Sequence, residues 1–96
     1  MFNVVLRLSD NRAAAADHME AHRAWIAQGF ERGLFLAVGT LVDKQGGGIW
    51  AYNCTAAELA DFVNQDPFVI HGVAVPEIVE MIPARTDARL NFLKDA

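Results

Sequence analysis

A chain of 96 residues holds one domain and is too short for two, so a single unit over 1–96 is expected, with a core at 1–83 and a tail at 84–96. Eight Lys and Arg against twelve Asp and Glu leave a net charge of −4, and the basic residues are scattered, which argues against nucleic acid as a partner. No apolar run approaches the roughly 20 residues that span a bilayer, and the lone Cys54 permits neither an intrachain disulfide nor a cysteine metal site, so a soluble cytoplasmic protein without membrane contact is expected.

In chain order, "FNVVLRL" (2–8) alternates, with Phe2, Val4, Leu6 and Leu8 on one face, and predicts a strand. "SDN" (9–11) offers helix caps. From 11 to 32 the residues Met19, His22, Ile26 and Phe30 recur at three- and four-residue spacing, which predicts an amphipathic helix stopped by Gly33. "LFLAVGTLV" (34–42) is apolar on both faces, the pattern of a strand buried on two sides. "DKQGGG" (43–48) is expected to be the hairpin loop and "IWAYNC" (49–54) the return strand. "TAAELADFVNQ" (55–65) opens on a Thr55–Glu58 capping box and ends before Pro67. "VPEIVEMIP" (75–83) is a fourth strand, and the tail is short and compatible with a helix.

The order β-α-β-β-α-β is that of a ferredoxin-like α+β fold: a four-stranded antiparallel sheet with two helices on one face. The other sheet face still carries apolar side chains, and 53% of the chain is hydrophobic, more than one thin core takes up. Pairing two sheets face to face, as a dimeric α+β barrel, covers that surface, so a homodimer is expected.

Three histidines and one Asp-Pro turn are the candidates for chemistry. His18 and His22 lie four apart on one helix side, half of a metal site, but "HMEAH" has its glutamate in the wrong place for a zinc helix and no further certain ligand, so no metal is expected. His22 falls within the apolar stripe and points toward the sheet. It is either a buried histidine bonded to a backbone carbonyl or a general base in a pocket between helix and sheet. The second role needs a carboxylate to fix the ring. Asp66 in "NQDPFVIHG" (64–72) can supply it, while also starting a turn or capping "PFVIHG" with Pro67 at the first helical position. His71 ends that turn and can sit near helix carbonyls. Gly39 interrupts a strand, marking a bulge, a close ligand approach or a helix packed over it. Cys54 is expected to be a small core residue, and the triple glycine lacks the context of a phosphate cradle.

"AHRAWIAQGFERGLFLAVG" followed by "DFVNQDPFVIHGV" resembles the YCII-related (YciI-like) family over about residues 1–83. Its pattern of helix histidine, helix-stop glycine, strand glycine and Asp-Pro-aromatic turn leading to Gly-Val falls on His22, Gly33, Gly39, Asp66, Pro67, Phe68, Gly72 and Val73. The resemblance implies a ferredoxin-like subunit in a dimeric α+β barrel, with a His–Asp pair, here His22 and Asp66, in a cleft near the dimer interface. One characterised branch eliminates chloride from a chlorinated ring compound. Thr40 stands where many relatives place proline, which alters the pocket rim, and His71 lies outside the pattern.

The expected function is a small enzyme that needs no cofactor. His22 and Asp66 would carry acid/base catalysis, and Gly39, Pro67, Phe68 and His71 would contact a small anionic or cyclic substrate in a lyase, isomerase or dehalogenating elimination. The alternative is a dimeric binding module or accessory protein in which His22 and Asp66 merely satisfy each other. A haem- or quinol-handling oxygenase rests on fold analogy alone.

Overall fold

A computed structural model of the chain describes residues 1–95. Strand β1 (Phe2–Leu8) leads through a 3-10 turn (Arg12–Ala14) into helix α1 (Ala15–Glu31). Strands β2 (Phe35–Thr40) and β3 (Gly46–Ala51) form a hairpin, followed by α2 (Ala56–Val63), the single-turn α3 (Pro67–Ile70), β4 (Ala74–Glu80) and a 3-10 segment (Ala88–Asp95). All pairings are antiparallel and the strand order is β2-β3-β1-β4, which is the ferredoxin-like arrangement with helices over one face.

Local chemistry accounts for the element ends. In β1 the inward residues Phe2, Val4 and Leu6 are buried and the outward Asn3 and Arg7 are exposed. Helix α1 closes on Gly33 at φ +70°, with Leu34 N–H donating to the Gly29 carbonyl and Gly33 N–H to that of Phe30, the paired bonds that satisfy a helix C-terminus. Helix α2 opens on the predicted capping box: Glu58 N–H donates to Thr55 Oγ1 at 3.1 Å, and Thr55 N–H to the Glu58 carboxylate at 2.9 Å.

The core lies between the helices and the sheet, built around Trp25, Phe35 and Phe62, whose ring centroids are 5.1–5.7 Å apart. The Trp25 indole N–H donates to the Phe62 carbonyl at 2.9 Å, tying α1 to the last turn of α2. Gly29 makes this packing possible, because a Cβ there would fall 2.2 Å from the Phe35 ring.

Several expectations are corrected. The buried line of α1 runs through Trp25 and Gly29, and Phe30 is 45% exposed, because the indole and the Phe35 ring draw the helix round toward them. Strand β2 is an edge strand whose residues 37–40 are exposed within the subunit, where burial on both faces was expected, since α1 covers only its start. The triple glycine belongs to β3 and not to the loop, which is residues 41–45. Gly46 adopts φ +151°, and a Cβ there would sit 2.0 Å from the Leu6 carbonyl oxygen, so only glycine can pair at that register. At its other end β3 stops at Ala51, because Asn53 turns the chain at φ +64°. Strand β4 occupies Ala74–Glu80, earlier than the expected 75–83.

Cross-strand partners share a face, so Ala37, Trp50, Asn3 and Val79 form one row of the outer face, and Gly39, Gly48, Val5 and Glu77 the next. Trp50 is 51% exposed there, and Val75, Val79 and Met81 are similarly open. A trough of about 430 Å³ runs between β2 and β1 on this face.

Candidate active site

Asp66 owes its position to the proline that follows it. Pro67 excludes the helical region for the preceding residue, so Asp66 is extended (φ −60°, ψ 124°) and becomes the N-cap of α3. Its Oδ1 accepts the Phe68 N–H at 3.0 Å. The side chain is wholly buried, and that same Oδ1 lies 2.7 Å from His22 Nδ1, contributed by α1 from 44 residues upstream. Oδ2 is also buried and has no partner among the described residues.

His22 is held on two sides. Its ring stacks face to face on Phe68, with centroids 3.9 Å apart and planes within 1°, and the Trp25 ring lies 5.9 Å away. Oδ1, already accepting the Phe68 N–H, faces the imidazole as an acceptor, so Nδ1 carries the hydrogen and Nε2 is the lone-pair nitrogen of the neutral ring. This hydrogen placement follows from the bonding network. A fixed imidazole with a carboxylate behind one nitrogen can accept a proton at the other. With 13% of its side chain exposed, His22 reaches a cavity.

That cavity, about 510 Å³, lies between α1 and the sheet and is within the size range of small-molecule sites. One wall is the α1 stripe Ala15, Met19, His22, Arg23 and Ile26; the other is the sheet around Leu6, Ile49 and the glycines of β3; Phe68 and Ala74 close one end. Of the residues singled out from the sequence, His22, Gly39 and Phe68 line it, and Asp66 stands behind His22. Pro67 is not on the lining, and its place is the first position of α3. Nor is His71: it terminates α3, and its ring stacks on His18 at 3.8 Å with planes within 6°. The two α1 histidines therefore have different partners. The missing side chain of Gly39 faces the outer side of the sheet, away from the helices, and a Cβ there would meet nothing within 4 Å, so no helix packing calls for glycine at this position.

Sequence reasoning missed Arg23 and Lys44 on the lining. Helical phase could have found Arg23, which is one turn beyond Met19. Lys44 stands in the 41–45 turn, and its place beside the cavity depends on the left-handed turn conformation and the β2–β3 register, neither of which residue pattern supplies. Cys54 is half-buried, and burial first, then the Glu58 carboxylate, push its thiol pKa up, which disfavours the thiolate a nucleophile needs. Among the described residues no three metal-binding side chains gather.

Fold and site together define a ferredoxin-like α+β domain whose helix–sheet cavity presents one histidine backed by a buried carboxylate. The family model of the YCII-related domain matches residues 1–82, and the chain belongs to that family. Among solved structures it is similar to 5-chloro-2-hydroxyhydroquinone dehydrochlorinase (TftG) from Burkholderia phenoliruptrix AC1100, determined in complex with 2,5-dihydroxybenzoquinone. The two share 18% identity at a TM-score of 0.66, over 84% of this chain and 93% of that one, a likeness of fold. No curated protein matches the sequence. No helix among the described residues is long and apolar enough to cross a membrane.

Proposed function

We propose that this protein is a small lyase-type enzyme in which His22 is the general base, Asp66 orients it, and the substrate is a small ring compound bound in the helix–sheet cavity. The observation that carries the reading is the 2.7 Å contact between His22 Nδ1 and a wholly buried Asp66, at the wall of a cavity of ligand size. A histidine serving only the core would not need to border that space. The dehydrochlorinase of like fold supports the choice of an elimination. In such a step the base takes a proton, the electron pair left behind forms the new double bond, and chloride departs with the C–Cl pair. HCl is lost, and neither oxidant nor reductant is consumed.

The working unit is proposed to be a homodimer, joined through the outer sheet face where Trp50, Val75, Val79 and Met81 stand half exposed. A second reading, a non-catalytic binding module, draws on the capping bond from Phe68 N–H to Asp66, which would favour aspartate at this position without any catalysis. Chloride release from 5-chloro-2-hydroxyhydroquinone, followed with wild-type protein and His22→Ala, separates the two. The enzyme reading expects release by the wild type and a loss of about 10²–10⁴-fold in the variant. Turnover that survives His22→Ala would remove the general-base assignment, and no release by the wild type would remove this substrate.

A further inference from the structure

The geometry points to Arg23 and Lys44 as a cationic clamp that selects a planar organic anion for the cavity, with the ring lying along the glycines of β3. The inference rests on the reading that this cavity is the substrate site. Its first support is the charge of the walls. The chain has twelve acidic and eight basic side chains, so a random lining would lean acidic. The cavity lining instead holds Arg23 and Lys44 and no Asp or Glu, since the carboxylate of Asp66 is shielded behind His22. A cleft of one sign between low-dielectric walls concentrates counter-ions, here anions drawn into a protein of net charge −4.

Secondly, neither cation has an internal partner among the described residues. The ion pairs there are His22–Asp66 and Arg89–Asp87. Glu20, three residues before Arg23, is not within ion-pair distance. Asp43, beside Lys44, turns its carboxylate to the Gln45 backbone N–H at 2.9 Å. Arg23 stands on the cavity side of α1, between Met19 and Ile26, and is itself exposed.

Third, Lys44 sits where its own backbone disfavours it. It adopts φ +64° in the β2–β3 turn, a left-handed conformation that glycine and asparagine take at lower cost. The side chain is present despite that cost, at the mouth of the cavity. On the sheet wall Gly47, paired with the inward Leu6, leaves bare backbone toward the cavity, a flat surface suited to the face of a ring.

The test is an NMR titration of 15N-labelled protein with benzoate, its neutral isostere benzamide and inorganic phosphate, for wild type, Arg23→Gln and Lys44→Asn. Asparagine tolerates the left-handed turn, and Arg23 is exposed, so both variants keep the fold. Benzoate should shift the amides of Gly39 and of residues 46–48, bind about tenfold tighter than benzamide, and weaken as salt rises. Each variant should weaken benzoate roughly two- to fivefold, as expected for exposed charge pairs, and leave benzamide unchanged. Benzamide binding as well as benzoate, shifts outside the cavity, or no binding by benzoate would overturn the clamp; phosphate binding as well as benzoate would overturn the planar-ring preference. Failure of the catalytic reading looks different, since it leaves charge-dependent benzoate binding intact while His22→Ala has no effect on turnover.

Discussion

Replacing Asp66 with alanine takes away one oxygen that serves two donors. The α3 cap is lost, which costs about 1 kcal/mol, and His22 Nδ1–H is left without an acceptor in a nearly buried site, which costs about 1–3 kcal/mol. Removing a buried carboxylate whose Oδ2 has no partner among the described residues offsets part of this. A net loss of about 2–3 kcal/mol follows, or about 8–24 °C in Tm for a domain of this size. Asp66→Asn should behave differently. Its amide oxygen must stay toward Phe68 N–H, because the amide nitrogen cannot accept there, so both hydrogen bonds and the ring tautomer persist. Thermal melts followed by circular dichroism should show Asn losing less than half of what Ala loses. Turnover should still fall about 10–30-fold in Asp66→Asn, since a neutral acceptor stabilises the protonated imidazole less than a charged one. An alanine variant melting within about 2 °C of wild type would refute the energetic reasoning. So would an asparagine variant no more stable than the alanine one.

The His22 tautomer is measurable without a substrate: imidazole 15N shifts should show Nδ1 protonated and Nε2 bare in the neutral ring, and the opposite tautomer would contradict the Asp66 bond. Gly29→Ala should destabilise by about 1–3 kcal/mol in urea titrations despite alanine's better helix propensity, because the added methyl meets the Phe35 ring. Glu58 has its pKa lowered from 4.5, first by the Thr55 backbone N–H and then by the Thr55 hydroxyl. A folded-state pKa below the unfolded one adds stability above the unfolded value, and that share is lost as pH falls through the folded value. Melting temperature should therefore drop more steeply below pH 4.5 in wild type than in Glu58→Gln, which keeps the cap without the titration. The proposed homodimer predicts a wild-type sedimenting mass of two chains and a shift to one chain in Trp50→Glu, and a mass unchanged by the substitution would argue against the outer face as the contact.

Elements whose signal is local were legible from residues alone. The alternation of β1, the Thr55–Glu58 box and the Pro67 stop each depend on near neighbours. For His22 and Asp66, helical phase aimed one at the sheet and proline fixed the turn of the other, while their pairing was what the family resemblance implied; the structure brings the two within 2.7 Å. What escaped depends on distant contacts. Phe30 scores as core by hydropathy and Gly29 as nothing, yet the missing side chain of Gly29 is what admits Phe35. The apolar run of β2 suggested burial that the subunit itself does not supply. Three glycines in a row resemble a loop, and only the register against Val5, Leu6 and Arg7 makes them strand.

The central part of the β2–β3 ladder has a consequence for any partner on the outer face. Val38, Gly39, Thr40, Gly48 and Ile49 border both the helix-side cavity and the outer trough. At the Gly39–Gly48 pair no side chain thickens the sheet, so a single layer of peptide planes separates the two spaces. A ligand on one side and a protein surface on the other press on the same backbone atoms. Where either shifts that layer, the two affinities become linked, and the linkage is reciprocal: a partner that tightens ligand binding by some factor is itself held tighter by the same factor once the ligand is bound.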